Sequence, residues 1–182
     1  ETRTGLSHCP APAVLGGFNI IDMPAMKKSG MRLSLGVDGS ATNDGSNLLD
    51  TLRMAFLMQS FHAKNRGGSP TPYEMLKIAT SGGADILGRP DLGSLEAGKG
   101  ADLFMIRTNK LEYVGAVHDP ANLLARTGVT GPVDLTMVNG KVVFENGEFP
   151  GIDEEAMFAE AEKVCTSVIR QDNPAYDELK PV

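Results

Sequence analysis

One arrangement recurs in the first ninety residues and constrains the fold more than any other. A short apolar run stops at a polar or proline-rich stretch and gives way to helix-patterned sequence. The first run, Gly5 to Cys9, closes at Pro10. Pro12, Gly16 and Gly17 make the next stretch a loop, and a helix follows over about Ile20 to Ser29, with Lys27 and Lys28 suiting its negative C-terminal end and Gly30 ending it. The second run, Arg32 to Val37, opens into the polar segment Asp38 to Ser46, and then NLLDTLRMAFLMQSFHA carries apolar residues at helical spacing. Thr71, Pro72 and Glu74 supply the N-cap, first-turn proline and capping-box glutamate of another helix, and a shorter one, Gly83 to Leu87, ends at Gly88. Strand, helix, strand, helix, helix is the grammar of a parallel α/β structure.

After Gly88 the grammar changes. A boundary falls in RPDLGSLEAGKG, which is dense in turn residues, and divides the chain into segments 1–90, 91–150 and 151–182. Ala101 to Ile106 is a predicted strand. Val133 to Val138 and Lys141 to Glu145 flank Asn139-Gly140, a strong hairpin signal. Between them HDPANLLARTG suits one or two helical turns capped by Asp119. Asp153 to Gln171 predicts an amphipathic helix whose apolar face holds Ala156, Ala159, Val164, Val168 and Ile169, with a mobile tail from Asp172.

Charge narrows the functional classes. With 17 Lys plus Arg against 23 Asp plus Glu the formal charge is −6, which argues against a nucleic-acid or anionic-membrane footprint. No apolar run approaches the roughly 18 residues needed to cross a bilayer. Two distant cysteines, Cys9 and Cys165, and no secretory pattern predict a reducing, cytoplasmic setting. The chain starts without Met and almost on a strand, as if entered partway through a larger protein.

Asp38 is the first candidate for chemistry, because it follows a buried strand at its carboxyl end, where α/β folds place their sites. A bare Asp-Gly is also an ordinary turn. What favours a site is the string LSLGVDGSATND, which crowds two carboxylates with hydroxyl and amide groups directly after the strand. The string lacks the lysine and glycines of a phosphate cradle. It is not a calcium loop either: the twelfth position from Asp38 is Leu49, where a bidentate Glu is needed. His8 could face the same site or be a packed structural histidine. His62 suits a helix end and His118 a loop, and the three histidines do not pair into a zinc pattern. Cys9 is expected to be buried and inert, and the nine methionines to fill the core.

These strings together resemble the C-terminal part of aminohydrolases of the amidohydrolase superfamily, the cytosine, guanine and chlorohydrolase-like deaminase group. SHCP, DMPAMKKSG, LGVDGSATNDGSNLLDTLRMA, EMLKIATSGGADILGRPDLGSLEAGKGADLFMI and VDLTMVNGKVVFENG run in family order over nearly the whole chain. GVDGSATND and GAVHDPANLL are especially similar to 8-oxoguanine deaminases, with hydroxyatrazine-type aminohydrolases close behind. The resemblance implies a (β/α)8 TIM-like barrel with a small β-sandwich. His8 would end barrel strand seven and Asp38 strand eight, segment 1–90 would close the barrel, and 91–150 would belong to the sandwich. It implies one zinc ion per complete site, with Asp38 as its ligand and as the catalytic acid-base, and His8, Ser40, Asn43 and Asp44 around the substrate. The remaining ligands would lie upstream of Glu1, so this chain alone would be inactive. Relatives usually carry a Ser-Asn segment after HCP where this chain has Ala11, Pro12 and Ala13, so the resemblance does not carry that loop's substrate contacts over to this chain.

The expected function is hydrolytic deamination of a purine-like heterocycle, 8-oxoguanine first. The expected partners are that small substrate, the missing N-terminal part and further copies of the chain in a homo-oligomer. Two alternatives stand beside it: a triazine aminohydrolase or chlorohydrolase of the same fold, and a non-catalytic α/β module that grips a polar ligand without metal.

Overall fold

A computed structural model describes residues 4–43, 45–63 and 68–173. Strands β1 (Gly5–His8) and β2 (Arg32–Leu35) pair in parallel with Gly5 opposite Arg32 and His8 opposite Leu35. Two helices connect them. The first, α1 (Pro10–Leu15), stands where the sequence predicts a loop. Its prolines lie in the first turn, where a missing N–H costs no intrahelical bond, and Gly17 ends it in the left-handed region at φ +67. The second, α2 (Met23–Lys28), is shorter than predicted because Asp22 caps it, accepting a bond from the Ala25 N–H at 2.9 Å.

Helix α3 (Leu48–Ala63) follows the Asp38 segment. The capping box at Thr71 and Glu74 is formed and starts α4 (Pro72–Lys77). Where the sequence predicts a break, a wide π turn over Ile78–Gly82 carries α4 straight into α5 (Gly83–Leu87). Gly82 lies against β2, and a Cβ there would collide with the carbonyl oxygen of Leu33. The helix therefore rests directly on the backbone of the strand that leads to Asp38.

The main core sits between this helix, α2, α3 and β2, and comprises Met23, Leu33, Leu35, Leu52, Ala55, Met75, Ile78 and Ala125. Gln59 is buried among them without penalty: its Oε1 accepts from Met23 N at 3.2 Å and its Nε2 donates to Ile21 O at 2.8 Å. Met23 and Met75 fill the core as predicted, whereas Met105 and Met157 are exposed.

Strands β3 (Leu103–Met105), β4 (Leu135–Val138) and β5 (Lys141–Glu145) form an antiparallel sheet in that order. Asn139 at φ +48 and Gly140 at φ +77 make the predicted tight turn between β4 and β5. β3 is three residues shorter than predicted because side chains replace the ladder at both ends. Asp102 accepts from Asn139 N and Asp134 from Arg107 N, each at 2.6 Å. Among the described residues this sheet is a single layer, where the resemblance implies a sandwich. Asp119 caps α6 (Pro120–Asn122), which runs into a second π turn over Leu123–Thr127.

The last helix, α7 (Glu154–Asp172), stands where the sequence predicts a helix over Asp153 to Gln171, with Asp153 as its N-cap, accepting from Ala156 N at 2.9 Å. Its apolar residues are not seated: Val164, Val168 and Ile169 are exposed, and no residue of α7 is buried. The predicted tail lies, beyond Asn173, outside the described residues. No helix among the described residues is long and apolar enough to cross a membrane.

Candidate active site

The parallel register brings the carboxyl ends of β1 and β2 side by side, with His8 the last residue of one and Asp38 three residues past the end of the other. His8 is 4% exposed, and its Nε2 has no hydrogen-bond partner among the described residues. Burial holds its pKa below the ordinary histidine value, so the imidazole is neutral at pH 7. A structural histidine would be expected to satisfy both nitrogens; this one leaves one open at a strand end.

Asp38 is exposed and takes φ +67, a left-handed conformation that Asp tolerates better than bulkier residues. Its Oδ1 accepts from the Gly39 N–H at 2.9 Å. The following residues tighten into a turn, with Thr42 N and Asn43 N both donating to Gly39 O at 2.9 and 3.0 Å. Asn43 then anchors the turn to the strand end: its Nδ2 donates to Val37 O at 2.9 Å and its Oδ1 accepts from Gly45 N at 3.2 Å. Each end of that amide is engaged once by backbone, so Asn43 helps position the loop while keeping one N–H and one lone pair. Ser40 lies exposed within the turn. Asp44 lies outside the described residues. Asn47 closes the segment by capping α3, accepting from Leu49 N at 3.0 Å.

Cys9 joins the two strand ends. It is half-buried, not buried as expected, and its Sγ lies 3.9 Å from Ser7 O. Its pKa is raised, first by burial and then by the charge of Asp38, so the thiol stays protonated beside that carboxylate. Its nearness to Asp38 was invisible in the sequence, since 29 residues separate them. His62 and His118 stand apart from this site. His62 ends α3 with its Nε2 3.8 Å from an Asp22 carboxylate oxygen, and His118 closes a short turn ahead of Asp119.

Zinc is the metal the resemblance implies. Among the described residues no group of three or more His, Cys, Asp or Glu side chains could hold a metal ion. Asp38 offers one carboxylate, so these residues suit one corner of a metal site and do not form a whole one.

Residues 1–143 match the family model described as "Amidohydrolase family". Among curated relatives, the chain is 51% identical over 172 residues to hydroxydechloroatrazine ethylaminohydrolase from Pseudomonas sp. strain ADP, covering 94% of this chain and 36% of that protein. It is 34% identical over 171 residues to 8-oxoguanine deaminase from Pseudomonas aeruginosa, covering 93% and 37%. Among solved structures, a mutant of the atrazine chlorohydrolase of Arthrobacter aurescens TC1, complexed with zinc and atraton, superposes with a TM-score of 0.80 at 37% identity, covering 87% of this chain and 35% of that one. An adenosine deaminase from Xanthomonas campestris with bound zinc gives a TM-score of 0.80 at 26% identity, covering 87% and 36%. The chain thus spans little more than a third of the length of the relatives it matches.

Proposed function

The chain belongs to the amidohydrolase family, and from that premise we propose that the whole protein is a zinc-dependent aminohydrolase that cleaves an exocyclic alkylamine from a hydroxylated s-triazine. The observation that carries this substrate class is the 51% identity to a hydroxydechloroatrazine ethylaminohydrolase, against 34% to an 8-oxoguanine deaminase over the same stretch. In the Asp38 turn Asn43 also serves the backbone, donating to Val37 O and accepting from Gly45 N, which leaves one N–H and one lone pair of its amide for other partners.

In this reading β1 and β2 are the last two strands of a (β/α)8 barrel within segment 1–90. The sheet in 91–150 is one layer of the small sandwich, and 151–182 is a C-terminal helix and tail. Asp38 is one zinc ligand, and the others belong to the part of the relatives' length that this chain does not cover. Zinc, when bound, supplies a water whose pKa is near 7.

The chain's own residues then act as follows. Asp38 accepts the proton released as the water oxygen bonds to the ring carbon. It delivers that proton to the exocyclic nitrogen as the carbon–nitrogen bond breaks, so the products are the hydroxylated ring and a free alkylamine. Its left-handed backbone, held by the Gly39 and Asn43 bonds, presents the carboxylate beyond the strand end before substrate arrives. Neutral His8 turns its open nitrogen toward a ring heteroatom, and Ser40 lines the approach; Asp44 is assigned to the substrate on the resemblance alone.

The test is product identity with the whole protein. Ethylamine release from a hydroxylated N-ethylamino-s-triazine should exceed ammonia release from 8-oxoguanine in kcat/KM. The reverse order would return the assignment to the purine.

A further inference from the structure

Gly36 carries the pairing of β1 and β2 one step beyond the His8–Leu35 pair: its N–H donates to His8 O at 3.0 Å. Its φ lies outside the left-handed region, so the backbone conformation does not require glycine there. What requires it is space. A Cβ on Gly36 would stand 2.6 Å from Ser7 Oγ and 3.1 Å from Cys9 Sγ, both short of the 3.4 Å at which ordinary contact begins. Two side chains of β1 and its end thus close over a residue that has none.

This closure lies at the root of the Asp38 turn. Only Val37 separates Gly36 from Asp38, and the Cys9 thiol is near enough to that carboxylate for its charge to raise the thiol pKa. Asn43 holds the turn from one side through Val37 O, and the contact of Gly36 with Ser7 and Cys9 holds it from the other. A side chain at position 36 would open that contact. The exposed Ser7 hydroxyl can rotate to another staggered position and absorb part of the opening, whereas the half-buried Cys9 has less freedom to follow.

We propose that Gly36 is a positioning residue: the side chain it lacks lets Ser7 and Cys9 close on the end of β2 and so sets where Asp38 presents its carboxylate. The inference rests on the reading of Asp38 as a zinc ligand and proton carrier.

The experiment uses the whole protein and introduces Gly36→Ala into three backgrounds, each compared with its own parent: wild type, Ser7→Ala, and Ser7→Ala with Cys9→Ala. The first keeps both close contacts, the second only that with Cys9, and the third neither, leaving the Ser7 Cβ at an ordinary 3.9 Å. The readouts are zinc affinity, by competition with a chelator, and kcat and KM for ethylamine release. A misplacement of 1 Å can cost about 10²-fold in rate, and groups that orient a metal ligand are worth about 10–100-fold in metal affinity. With part of the opening absorbed by Ser7, Gly36→Ala in wild type should weaken zinc binding about tenfold. It should also lower kcat of the zinc-loaded protein about tenfold with KM little changed. The losses should shrink in Ser7→Ala and fall below about twofold in the double background. Losses of one size in all three backgrounds, or none in wild type, overturn the inference. If urea unfolding shows that Gly36→Ala does not fold in wild type, the other two backgrounds decide, and equal losses with and without the Cys9 Sγ overturn it. Zinc affinity needs no substrate. A protein that releases no amine yet shows the graded zinc loss defeats the alkylamine reading and upholds this inference, and a wild-type protein that binds no zinc overturns both.

Discussion

The helix that runs from Pro72 to Leu87 meets β2 through Gly82, and substitution there tests whether that contact holds the site-bearing strand in place. A Cβ at Gly82 would lie inside the 3.0 Å that side-chain carbons do not cross, and the atom it meets is the Leu33 carbonyl oxygen, which belongs to the backbone and cannot rotate away. Overpacking of this kind costs about 1–3 kcal/mol, and a backbone obstacle puts the cost near the top of that range. Against it stands the helix preference of Ala over Gly, about 1 kcal/mol, since Gly82 already has helical angles of φ −64 and ψ −42. Gly82→Ala should thus lose about 2 kcal/mol net. Gly83 is the control one residue on: its angles are φ −62 and ψ −47, and a Cβ there meets nothing within 4 Å. Gly83→Ala should gain about 0.5–1 kcal/mol from the same preference. Urea unfolding at 25 °C reads both, and adjacent glycines should move the midpoint in opposite directions. Equal stabilisation by both substitutions would refute the packing of this helix on β2.

Two further outcomes follow from the site. Asn43→Ala removes both anchors of the Asp38 turn, leaving the Val37 carbonyl and the Gly45 N–H to solvent; it should cost about 1 kcal/mol in urea unfolding and lower kcat of the whole protein with amine release as the readout. Burial depresses the pKa of His8 in the folded state, so the unfolded chain binds the proton more readily. Stability linked to His8 is then present above its unfolded pKa of about 6.5 and is lost as pH falls below that value. The urea midpoint should drop between pH 7.5 and 5.5, and His8→Gln, which cannot titrate, should show a smaller drop.

Much of the architecture was readable because its signals are local. Asn139-Gly140 needs positive φ at two successive residues, Thr71 with Glu74 can satisfy each other only at a helix start, and Asp38 is marked by the apolar strand before it. The errors arose where a local signal has two meanings. Pro10 and Pro12 read as breakers, yet in a first turn they are compatible with α1, and Gly16-Gly17 was the stop signal that could have revealed it. The sequence read as two helices, the second starting at Gly83, whereas the helix runs on through Gly82, which is small because β2 lies against it. Nothing in the sequence shows that Val37 and Gly45 each hold one end of the Asn43 amide. The apolar stripe of α7 was legible, but what covers it lies in no local pattern.

The central claim is that Asp38 carries the proton in a zinc-dependent release of alkylamine. The most direct measurement is kcat for ethylamine release by the whole protein, wild type against Asp38→Asn, each assayed at its measured zinc content. The amide cannot accept the water proton, so kcat should fall by at least about 10² at equal zinc occupancy. A zinc-loaded Asp38→Asn protein that turns over at nearly the wild-type rate would contradict the account.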